Sequence, residues 1–307
     1  MLMRNDSEIL PRVAAVFATM NRAATAVACV RSLAAQIRPP ELVLVADNVS
    51  TDSTIADLKA LHGLPFELKV LRMSENLGNA GGVHAAMEFA FGQGCDAVWI
   101  LDDDSWPRPG ALGAMLARPW DPEVLLHPLQ EDPRSGRFTW PLQVVAEDGA
   151  VRLAKGVEEL PAGDRVRSRG VWTGALISRR IRDVAGPVMA ELFIRGEDEE
   201  YPWRIEQAGF RTEAVTAAVM DHPGPVDLVC WRFFGRRLFL ERGLADWKLH
   251  YKVRNMVWIK RRQSGACGAL LMALAYALCV AHVDGPGRLP LVWRAFRDGW
   301  SGRLGKL

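Results

Sequence analysis

Short apolar runs alternate with amphipathic stretches along the first hundred residues of the chain. The runs have the length and composition of buried strands, which we predict over residues 13–18, 41–46, 66–71 and 97–101. Apolar residues recur at helical spacing between them and predict helices over 23–36, from the 50–54 turn toward Leu61, and over 83–92. Strands that alternate with helices in this order predict an α/β fold, a parallel sheet with helices on both faces.

The pattern changes in the middle of the chain. Residues 125–170 hold short apolar runs broken by prolines, which predict antiparallel strands and loops. Beyond them the sequence predicts a strand over 171–178, a short helix over 181–185, an acid-rich helix start over 193–200 and a strand over 215–220.

The chain from residue 226 onward is basic, aromatic and partly apolar. Ten lysines and arginines but only two acids lie between Arg232 and Arg262. Interleaved basic and aromatic residues could form a nucleic-acid face and fit an anionic membrane surface equally well. The net charge of +2 gives no global bias toward nucleic acid, so we expect no nucleic-acid partner. The apolar segment 266–283 is at the lower limit for crossing a bilayer, so we expect a helix at the membrane interface, or one packed on the protein, ahead of a true span. The tail 289–304 is amphipathic and basic.

Two features bear on the compartment. The five cysteines are scattered and lack the spacing of a zinc or redox motif, which favours a reducing environment. Residues 1–10 lack the charged-then-apolar pattern of a secretory signal. We therefore expect a cytoplasmic protein.

Three consecutive aspartates, Asp102, Asp103 and Asp104, directly follow the predicted strand 97–101. Adjacent like charges repel one another unless cations or hydrogen-bond donors balance them. Carboxylate oxygens suit hard divalent ions such as Mg²⁺ or Mn²⁺, which commonly also hold substrate phosphates. The triplet therefore predicts a metal site, and the alternative is a solvated acidic turn.

Three further polar segments, 19–22, 47–48 and 76–82, also follow predicted strands. Together with the triplet they are expected to line a crevice at the carboxyl ends of the strands, where such sheets bind nucleotides. Gly78, Gly81 and Gly82 would expose backbone amides to phosphate, or else relieve packing between helix and strand. Their spacing is that of neither a Walker loop nor a dinucleotide-binding loop.

In this order and spacing the segments resemble a known family. The matching residues are Asp-Asn-x-Ser-x-Asp at 47–52, Asn-Leu-Gly-x-Ala-Gly-Gly at 76–82, Trp-x-Leu-Asp-Asp-Asp at 99–104, Thr-Gly-Ala-Leu at 173–176 and Phe-Ile-Arg-Gly followed by acids at 193–200. The chain is similar to the inverting GT-A nucleotide-sugar glycosyltransferases of family two, and more narrowly to bacterial galactofuranosyltransferases, with rhamnosyltransferases as cousins. The resemblance covers about residues 12–225, and Tyr-x-x-Arg-Asn at 251–255 adds to it.

The resemblance implies a GT-A fold, a Rossmann-like mixed sheet with helices on both faces, followed by a helical C-terminal region. The catalytic domain is expected over 1–225. Its nucleotide-binding half would span about 12–110, and its acceptor and metal half 111–225. The basic, aromatic-rich helical region 226–307 is expected to be the part that meets a membrane.

The resemblance also implies roles for individual residues. Asp47 is expected to hydrogen-bond the uracil of the donor. Asp104 and His222 are expected to bind the divalent metal on the donor pyrophosphate. The remaining residues expected to line the nucleotide-sugar pocket are Thr19, Asn21, Arg22, Asn76, Gly78, Asp102 and Asp103. The residues expected on the acceptor side are Trp172, Thr173 and Gly174.

Inverting transfer needs a base that takes the proton of the acceptor hydroxyl as its oxygen attacks the anomeric carbon. Glu197 and Asp198, at the start of the acidic helix, are the candidates, and alignment with galactofuranosyltransferases favours Glu197. A purely structural alternative is that these acids only complement the positive end of the helix.

We therefore expect a metal-dependent inverting glycosyltransferase that moves galactofuranose from UDP-galactofuranose onto a hydroxyl of a polyprenyl-linked glycan or a cell-surface polysaccharide. This activity would place the protein peripherally on the inner face of the bacterial cytoplasmic membrane. The sequence leaves open whether the protein forms a homo-oligomer. One alternative is a rhamnosyltransferase that uses dTDP-rhamnose, and another is a non-catalytic nucleotide-binding or scaffold protein. A nucleotidyltransferase would require a glycine-rich loop after the first strand, and residues 18–22 contain no glycine.

Overall fold

A computed structural model describes residues 10–117, 120–224, 227–233 and 236–307 of the chain. Two compact units are present. The first holds the described residues up to Val188 together with Tyr201–Gly224, and the second holds Met189–Glu200 and the described residues from 227 onward. The predicted domain boundary between residues 225 and 226 lies outside the described residues, as does most of the 1–10 stretch discussed above.

Four parallel strands form one side of the first unit, in the spatial order β3-β2-β1-β4. They are β1 Val13–Thr19, β2 Leu42–Asp47, β3 Glu67–Arg72 and β4 Ala97–Ile100. Strands β2 and β4 are buried along their whole length, and β1 is buried at all but one residue. Burial on both faces is what parallel strands covered by helices require, and it explains their continuous apolar sequence.

The helices between these strands are α1 Ala23–Ala34, α2 Thr54–Lys59 and α3 Gly78–Gly92. Helix α3 begins at Gly78 rather than at the predicted residue 83, so Gly81 and Gly82 lie buried within it instead of in a ligand-facing loop. A Cβ atom on Gly82 would come within 2.7 Å of the Cβ of Ala18 on β1. Glycine at this position therefore serves the packing of α3 on the sheet, which is the second of the two roles weighed from the sequence.

The sheet continues on the far side of β4 with strands of both directions, so it is mixed and has eleven strands in the described chain. Its order is β3-β2-β1-β4-β10-β6-β11-β9-β7-β8, and β5 pairs with β11. The added strands are β5 Trp106–Pro107, β6 Val124–Glu131, β7 Leu142–Val145, β8 Val151–Ala154, β9 Arg165–Arg169, β10 Leu176–Ser178 and β11 Arg211–Asp221. The accompanying helices are α4 Ala111–Met115, α5 Arg179–Ala185 and α6 Glu197–Gln207.

Two strand predictions in this half have the wrong length. The strand predicted over 171–178 is confined to Leu176–Ser178, because residues 172–175 form a turn fastened to the end of β4. The strand predicted over 215–220 runs over Arg211–Asp221, since it pairs with both β6 and β9. The antiparallel strands expected within 125–170 are present as β7, β8 and β9, whereas β6 runs parallel to β11.

The second unit consists of a hairpin and two helices. The hairpin strands are β12 Leu228–Phe233 and β13 Arg236–Glu241, and the helices are α7 Asp246–Val283 and α8 Leu289–Ser301. Helix α7 is interrupted at Ser264 and Gly265, where the backbone leaves helical geometry, so the apolar segment 266–283 forms a helical part of its own. Gly299 on α8 lets the two helices approach, because a Cβ there would meet the Arg254 carbonyl oxygen on α7.

Helix α7 is the one helix in the described part of the chain whose length and composition would allow it to cross a membrane. Its most apolar window has a mean hydropathy of 2.0, and 33% of that window is buried inside the protein. Core helices of soluble proteins can meet the same criteria, so this property does not by itself locate the protein.

Candidate active site

The carboxyl ends of three parallel strands carry polar side chains to one edge of the sheet. Strand β1 ends at Thr19 and β2 at Asp47, and these two residues are partners in the ladder. The aspartate triplet follows β4 after one residue, Leu101, and β4 pairs with β1 on the side opposite to β2. Residues that are far apart in the sequence are thereby brought to the place where α/β sheets bind ligands.

Asp103 is the most buried member of the triplet, with 5% of its surface exposed. Its Oδ2 atom accepts a hydrogen bond from the hydroxyl of Thr19 at 2.8 Å. Its Oδ1 atom accepts one from Nη1 of Arg22, also at 2.8 Å. Thr19 and Arg22, which were predicted to line the nucleotide pocket, thus hold this carboxylate.

Asp104, Asp102 and His222 form a cluster that suits a divalent metal. One ligand atom from each residue lies within 4.8 Å of the other two. Nε2 of His222 is 3.5 Å from Oδ1 of Asp104 and 3.9 Å from Oδ2 of Asp102. Two carboxylates and an imidazole match the donor preferences of Mn²⁺, and the carboxylates also suit Mg²⁺. The residues therefore fit the expected ion, and they place Asp102 beside the two predicted ligands.

The short strand β5 explains how a histidine so late in the sequence reaches the triplet. Trp106 on β5 pairs with Asp221 at the end of β11. His222 follows β11 and the aspartate triplet lies just before β5, so this pairing brings the histidine to the triplet. The His222 backbone is fixed by two bonds: its N–H donates to the Glu131 carbonyl at 2.9 Å, and its carbonyl accepts from the Thr139 hydroxyl. The pairing of Trp106 and Pro107 with the end of β11 therefore helps to build the cluster.

Asp103, Asp104 and His222 have shifted pKa values. Burial raises the pKa of Asp103 to about 6, against the opposing effects of Arg22 and Thr19. Burial also tends to raise the pKa of Asp104, but hydrogen bonds with His222 and Arg22 outweigh it and hold that pKa at about 2. Burial tends to lower the pKa of His222, yet Asp104 and Asp102 raise it overall. Asp104 is therefore favoured in its ionised form, and a metal ion that bound here would have to displace the proton that these carboxylates favour on His222.

The buried Asp47 lies at the end of β2, where the uracil of the donor is expected. Its Oδ2 atom accepts from the N–H of Ser50 at 3.1 Å and from Nη1 of Arg72 at 3.4 Å. Its Oδ1 atom is buried and has no hydrogen-bond partner among the described residues. One oxygen of this carboxylate is therefore buried without a hydrogen-bond partner among the described residues, which is uncommon for a carboxylate in a protein interior.

Two predicted pocket residues hold the neighbouring loops. Asn21 has a positive φ of 53°, and its Oδ1 atom accepts from the backbone N–H of Thr51 at 2.7 Å. Asn76 accepts from the N–H of Gly78 at 2.8 Å. Gly78 is buried at the start of α3, and its carbonyl accepts from Nδ2 of Asn48 at 2.9 Å.

The sequence interpretation missed Arg72. It is the last residue of β3 and the ladder partner of Asp47, and half of its side chain is exposed at this edge of the sheet. The rule that picked out Asp47, namely a polar residue at the carboxyl end of a parallel strand, applies equally to Arg72 and could have identified it.

The three residues predicted on the acceptor side lie beside β4. The hydroxyl of Thr173 donates to Oδ2 of Asp102 at 2.6 Å, and the N–H of Gly174 donates to the carbonyl of Ile100 at 2.7 Å. Gly174 has a positive φ of 84°, and a Cβ there would meet Pro128. The indole N–H of Trp172 is buried without a hydrogen-bond partner among the described residues.

The two candidate bases belong to the second unit. Glu197 is buried, with 5% of its surface exposed, whereas the next residue, Asp198, is exposed to solvent. Oδ1 of Asp198 accepts a hydrogen bond from the N–H of Gly196 at 3.0 Å. Two neighbouring acids on one helix therefore differ in whether a solute can reach them.

Comparison with known proteins agrees with this geometry. The family described as glycosyl transferase family 2 matches the chain over residues 15–149. The galactofuranosyltransferase GlfT1 of Mycobacterium tuberculosis is 30% identical over 231 residues, which are 68% of this chain and 73% of that protein. The chain belongs to glycosyl transferase family 2. The GlfT1 of Mycolicibacterium smegmatis is 26% identical, over 70% of this chain and 72% of that protein.

Solved structures show the fold of this family 2 member. A mannosyltransferase from Pyrobaculum calidifontis, in complex with GDP-Man and Mn²⁺, has a TM-score of 0.55 at 19% identity and covers 98% of this chain and 78% of its own. GalNAc-T7, crystallised with UDP, GalNAc and Mn²⁺, has a TM-score of 0.54 at 15% identity over 85% of this chain, which spans about half (52%) of that protein. The predicted family and GT-A fold are confirmed, and the chain is a glycosyltransferase.

If Asp104 and His222 bind a metal ion, removing either side chain should weaken that binding without unfolding the protein. Asp104→Ala and His222→Ala are each expected to weaken Mn²⁺ binding at least about tenfold, since each removes one of few charged or imidazole ligands. Electron paramagnetic resonance of free Mn²⁺ in a titration measures this directly. Asp183→Asn, which changes an exposed side chain on α5, is the control and should bind like the wild type. Undiminished binding by both alanine variants would contradict the site.

Proposed function

We propose that this family 2 member is a metal-dependent, inverting galactofuranosyltransferase that uses UDP-galactofuranose to extend a glycan. The cluster of Asp102, Asp104 and His222 at the nucleotide edge of the sheet is the observation that carries the proposal. The two galactofuranosyltransferases at 26% and 30% identity support the choice of sugar. Residues 1–225 would form the catalytic domain and 226–307 the membrane-facing region.

Asp104 and His222 would hold the metal ion. When bound, a divalent ion offsets the negative charge of the departing nucleoside diphosphate. Arg22 adds a positive charge at the same place, since its half-exposed guanidinium contacts both Asp103 and Asp104. The donor diphosphate would therefore lie between the strand ends and this arginine.

The free oxygen of Asp47 supports recognition of a pyrimidine base. Leaving a buried acceptor unpaired costs about 1–3 kcal/mol, and the N3–H group of uracil would remove that cost. Asp103 already holds Thr19 and Arg22 with its two oxygens, so we assign the ribose contact to the more exposed Asp102. Thymine carries the same N–H group, so Asp47 does not by itself distinguish UDP from dTDP donors.

We assign the role of base to Asp198 rather than to Glu197, the residue that the sequence favoured. A base has to touch the acceptor hydroxyl, and Asp198 is the exposed member of the pair. As the acceptor oxygen bonds to the anomeric carbon, its proton passes to Asp198, and the electron pair of the broken C–O bond leaves with UDP. One such displacement inverts the anomeric centre.

The donor is tested by supplying UDP-galactofuranose or dTDP-rhamnose with Mn²⁺ and a galactan acceptor, and measuring released nucleoside diphosphate. UDP release is expected to exceed dTDP release at least about tenfold, because one pocket rarely serves two donors equally. Faster dTDP release would establish the rhamnosyltransferase alternative. UDP binding by calorimetry with no release from either donor would establish the scaffold alternative, and Asp104→Ala supplies the background rate.

The assignment of the base is tested by the pair Asp198→Asn and Glu197→Gln. Asp198→Asn should lower kcat by about 10²–10⁴-fold, the usual contribution of general base catalysis, with little change in UDP affinity. Glu197→Gln, which keeps the shape of a buried side chain, should retain most of the activity. The reverse ranking would return the role to Glu197.

The apolar end of α7 supports contact with a lipid surface. Residues 266–281 carry no charged side chain, yet four leucines there are 44–51% exposed: Leu270, Leu271, Leu274 and Leu278. We call these four leucines the leucine stripe. The exposed Arg261 and Arg262 precede the leucine stripe and suit anionic headgroups. We propose that the leucine stripe rests on the inner face of the cytoplasmic membrane, where a polyprenyl-linked acceptor would be reached.

Membrane contact is tested by sedimentation with vesicles of phosphatidylglycerol and phosphatidylcholine. Wild-type protein should bind, and raising the salt concentration should weaken binding because arginine charges are screened. The double variant Leu270→Glu/Leu274→Glu should lose at least about tenfold in affinity. Val184→Glu, which changes an equally exposed apolar residue of the first unit, should bind normally. Unchanged binding by the double variant would contradict the proposal.

A further inference from the structure

The candidate base follows a turn with strained backbone geometry, residues 191–196, which we call the acid-bearing turn. Phe193 and Arg195 have positive φ angles of 64° and 67°, and Gly196 has one of 126°. Residues other than glycine seldom adopt such angles, and they persist only where the surrounding structure imposes them. Some contact must therefore hold the turn in this conformation.

One buried side chain on α7, Asn255, makes that contact. It is 0% exposed, and its Nδ2 atom lies within hydrogen-bond distance of three backbone carbonyls of the turn. The distances are 2.9 Å to Leu192, 3.1 Å to Ile194 and 2.5 Å to Arg195. Its Oδ1 atom accepts from Nε of Arg254 at 2.9 Å, which fixes the amide with its nitrogen toward the turn.

Arg254 and Tyr251 support the same turn from the same helix. Nη2 of the buried Arg254 donates to the carbonyls of Glu191 and Leu192, at 3.3 Å and 3.1 Å. The ring of Tyr251 stacks on Phe193 with centroids 4.7 Å apart. These residues account for the Tyr-x-x-Arg-Asn pattern at 251–255, whose three named positions face the acid-bearing turn.

The peptide group between Arg195 and Gly196 connects Asn255 to the candidate base. Its carbonyl accepts the hydrogen bond from Asn255, and its N–H donates to Oδ1 of Asp198 at 3.0 Å. Because a peptide group is planar, fixing the carbonyl also fixes the direction of the N–H. Gly196 lies close against Asn255, since a Cβ there would come within 2.9 Å of the Cβ of Asn255.

We propose that Asn255 is a positioning residue, which orients the Asp198 carboxylate through the 195–196 peptide group. The inference rests on the proposed role of Asp198 as the base. Asn255 keeps one carboxylate oxygen engaged by the Gly196 N–H and so fixes the direction of the other. Loss of this orientation should slow proton removal from the acceptor while leaving donor binding in the first unit unchanged.

The test compares Asn255→Ala and Asn255→Asp with Val253→Ala in steady-state kinetics. Val253 is equally buried on α7, and its side chain packs in the core of the second unit, so this control matches a general loss of packing. Both Asn255 variants should lower kcat by about 100-fold, the effect of misplacing a reacting group, with KM for the donor within about twofold. Val253→Ala should lower Tm by about as much as the Asn255 variants do, but it should keep the wild-type kcat.

Hydrogen exchange gives a second readout for a variant that turns over too slowly or folds poorly. Peptides covering residues 191–198 should exchange faster in Asn255→Ala than in Val253→Ala. Equal exchange in both variants would overturn the inference, as would equal losses of kcat. Gly196→Ala, which pushes against Asn255 from the other side, should lower kcat in the same way.

Asp198→Asn separates failure of this inference from failure of the proposed function. If Asp198→Asn is inactive and Asn255→Ala keeps the wild-type kcat, the positioning role is wrong and the base stands. If Asp198→Asn retains activity, the base is wrong, and the positioning role falls with it.

Discussion

Mutual repulsion of three adjacent carboxylates is the constraint that the rest of the first unit has to meet. Two such charges about 4 Å apart repel by about 4 kcal/mol in a partly buried setting. Each aspartate therefore has its own partners: Thr19 and Arg22 for Asp103, Thr173 for Asp102, and Arg22 with His222 for Asp104. These partners come from the end of β1 and the segment after it, from the turn before β10 and from the residue after β11. The order of strands in the mixed sheet thus brings together the side chains that balance the charges of the triplet.

Balance of this kind leaves the three carboxylates chemically different. Asp103 is buried and each of its two oxygens accepts a hydrogen bond from the protein, so it serves as support. Asp104 is held ionised and close to an imidazole, which suits a cation. A sequence in which all three residues are identical thereby yields distinct proposed roles through burial and neighbours alone.

Much of this could be predicted from the sequence because the parallel strands are buried on both faces. Their continuous apolar runs and the polar residues behind them identified β1 to β4 and the edge where the site lies. The predicted start of α3 was wrong. Gly78, Gly81 and Gly82 look like a flexible loop in the sequence, whereas Gly82 is in fact explained by close packing against Ala18. The lengths of β10 and β11 depend on long-range pairing, which no local pattern reveals.

The environments of the candidate bases were also beyond the reach of the sequence. Glu197 and Asp198 are adjacent and equally acidic, and only the structure shows that one is buried and the other exposed. The turn that precedes them is held by bonds from Asn255 to backbone carbonyls about sixty residues earlier, and such bonds depend on tertiary packing rather than on side-chain type. The second unit therefore contributes a rigid frame for the acid as well as an apolar, basic surface.

A crystal structure of the protein with UDP and Mn²⁺, with anomalous diffraction from the metal, tests the central claim most directly. The account predicts one anomalous peak about 2 Å from the carboxylate of Asp104 and from Nε2 of His222, with the diphosphate on its open side and uracil against Asp47. A peak on other residues, or UDP bound away from the ends of β1, β2 and β4, would contradict it.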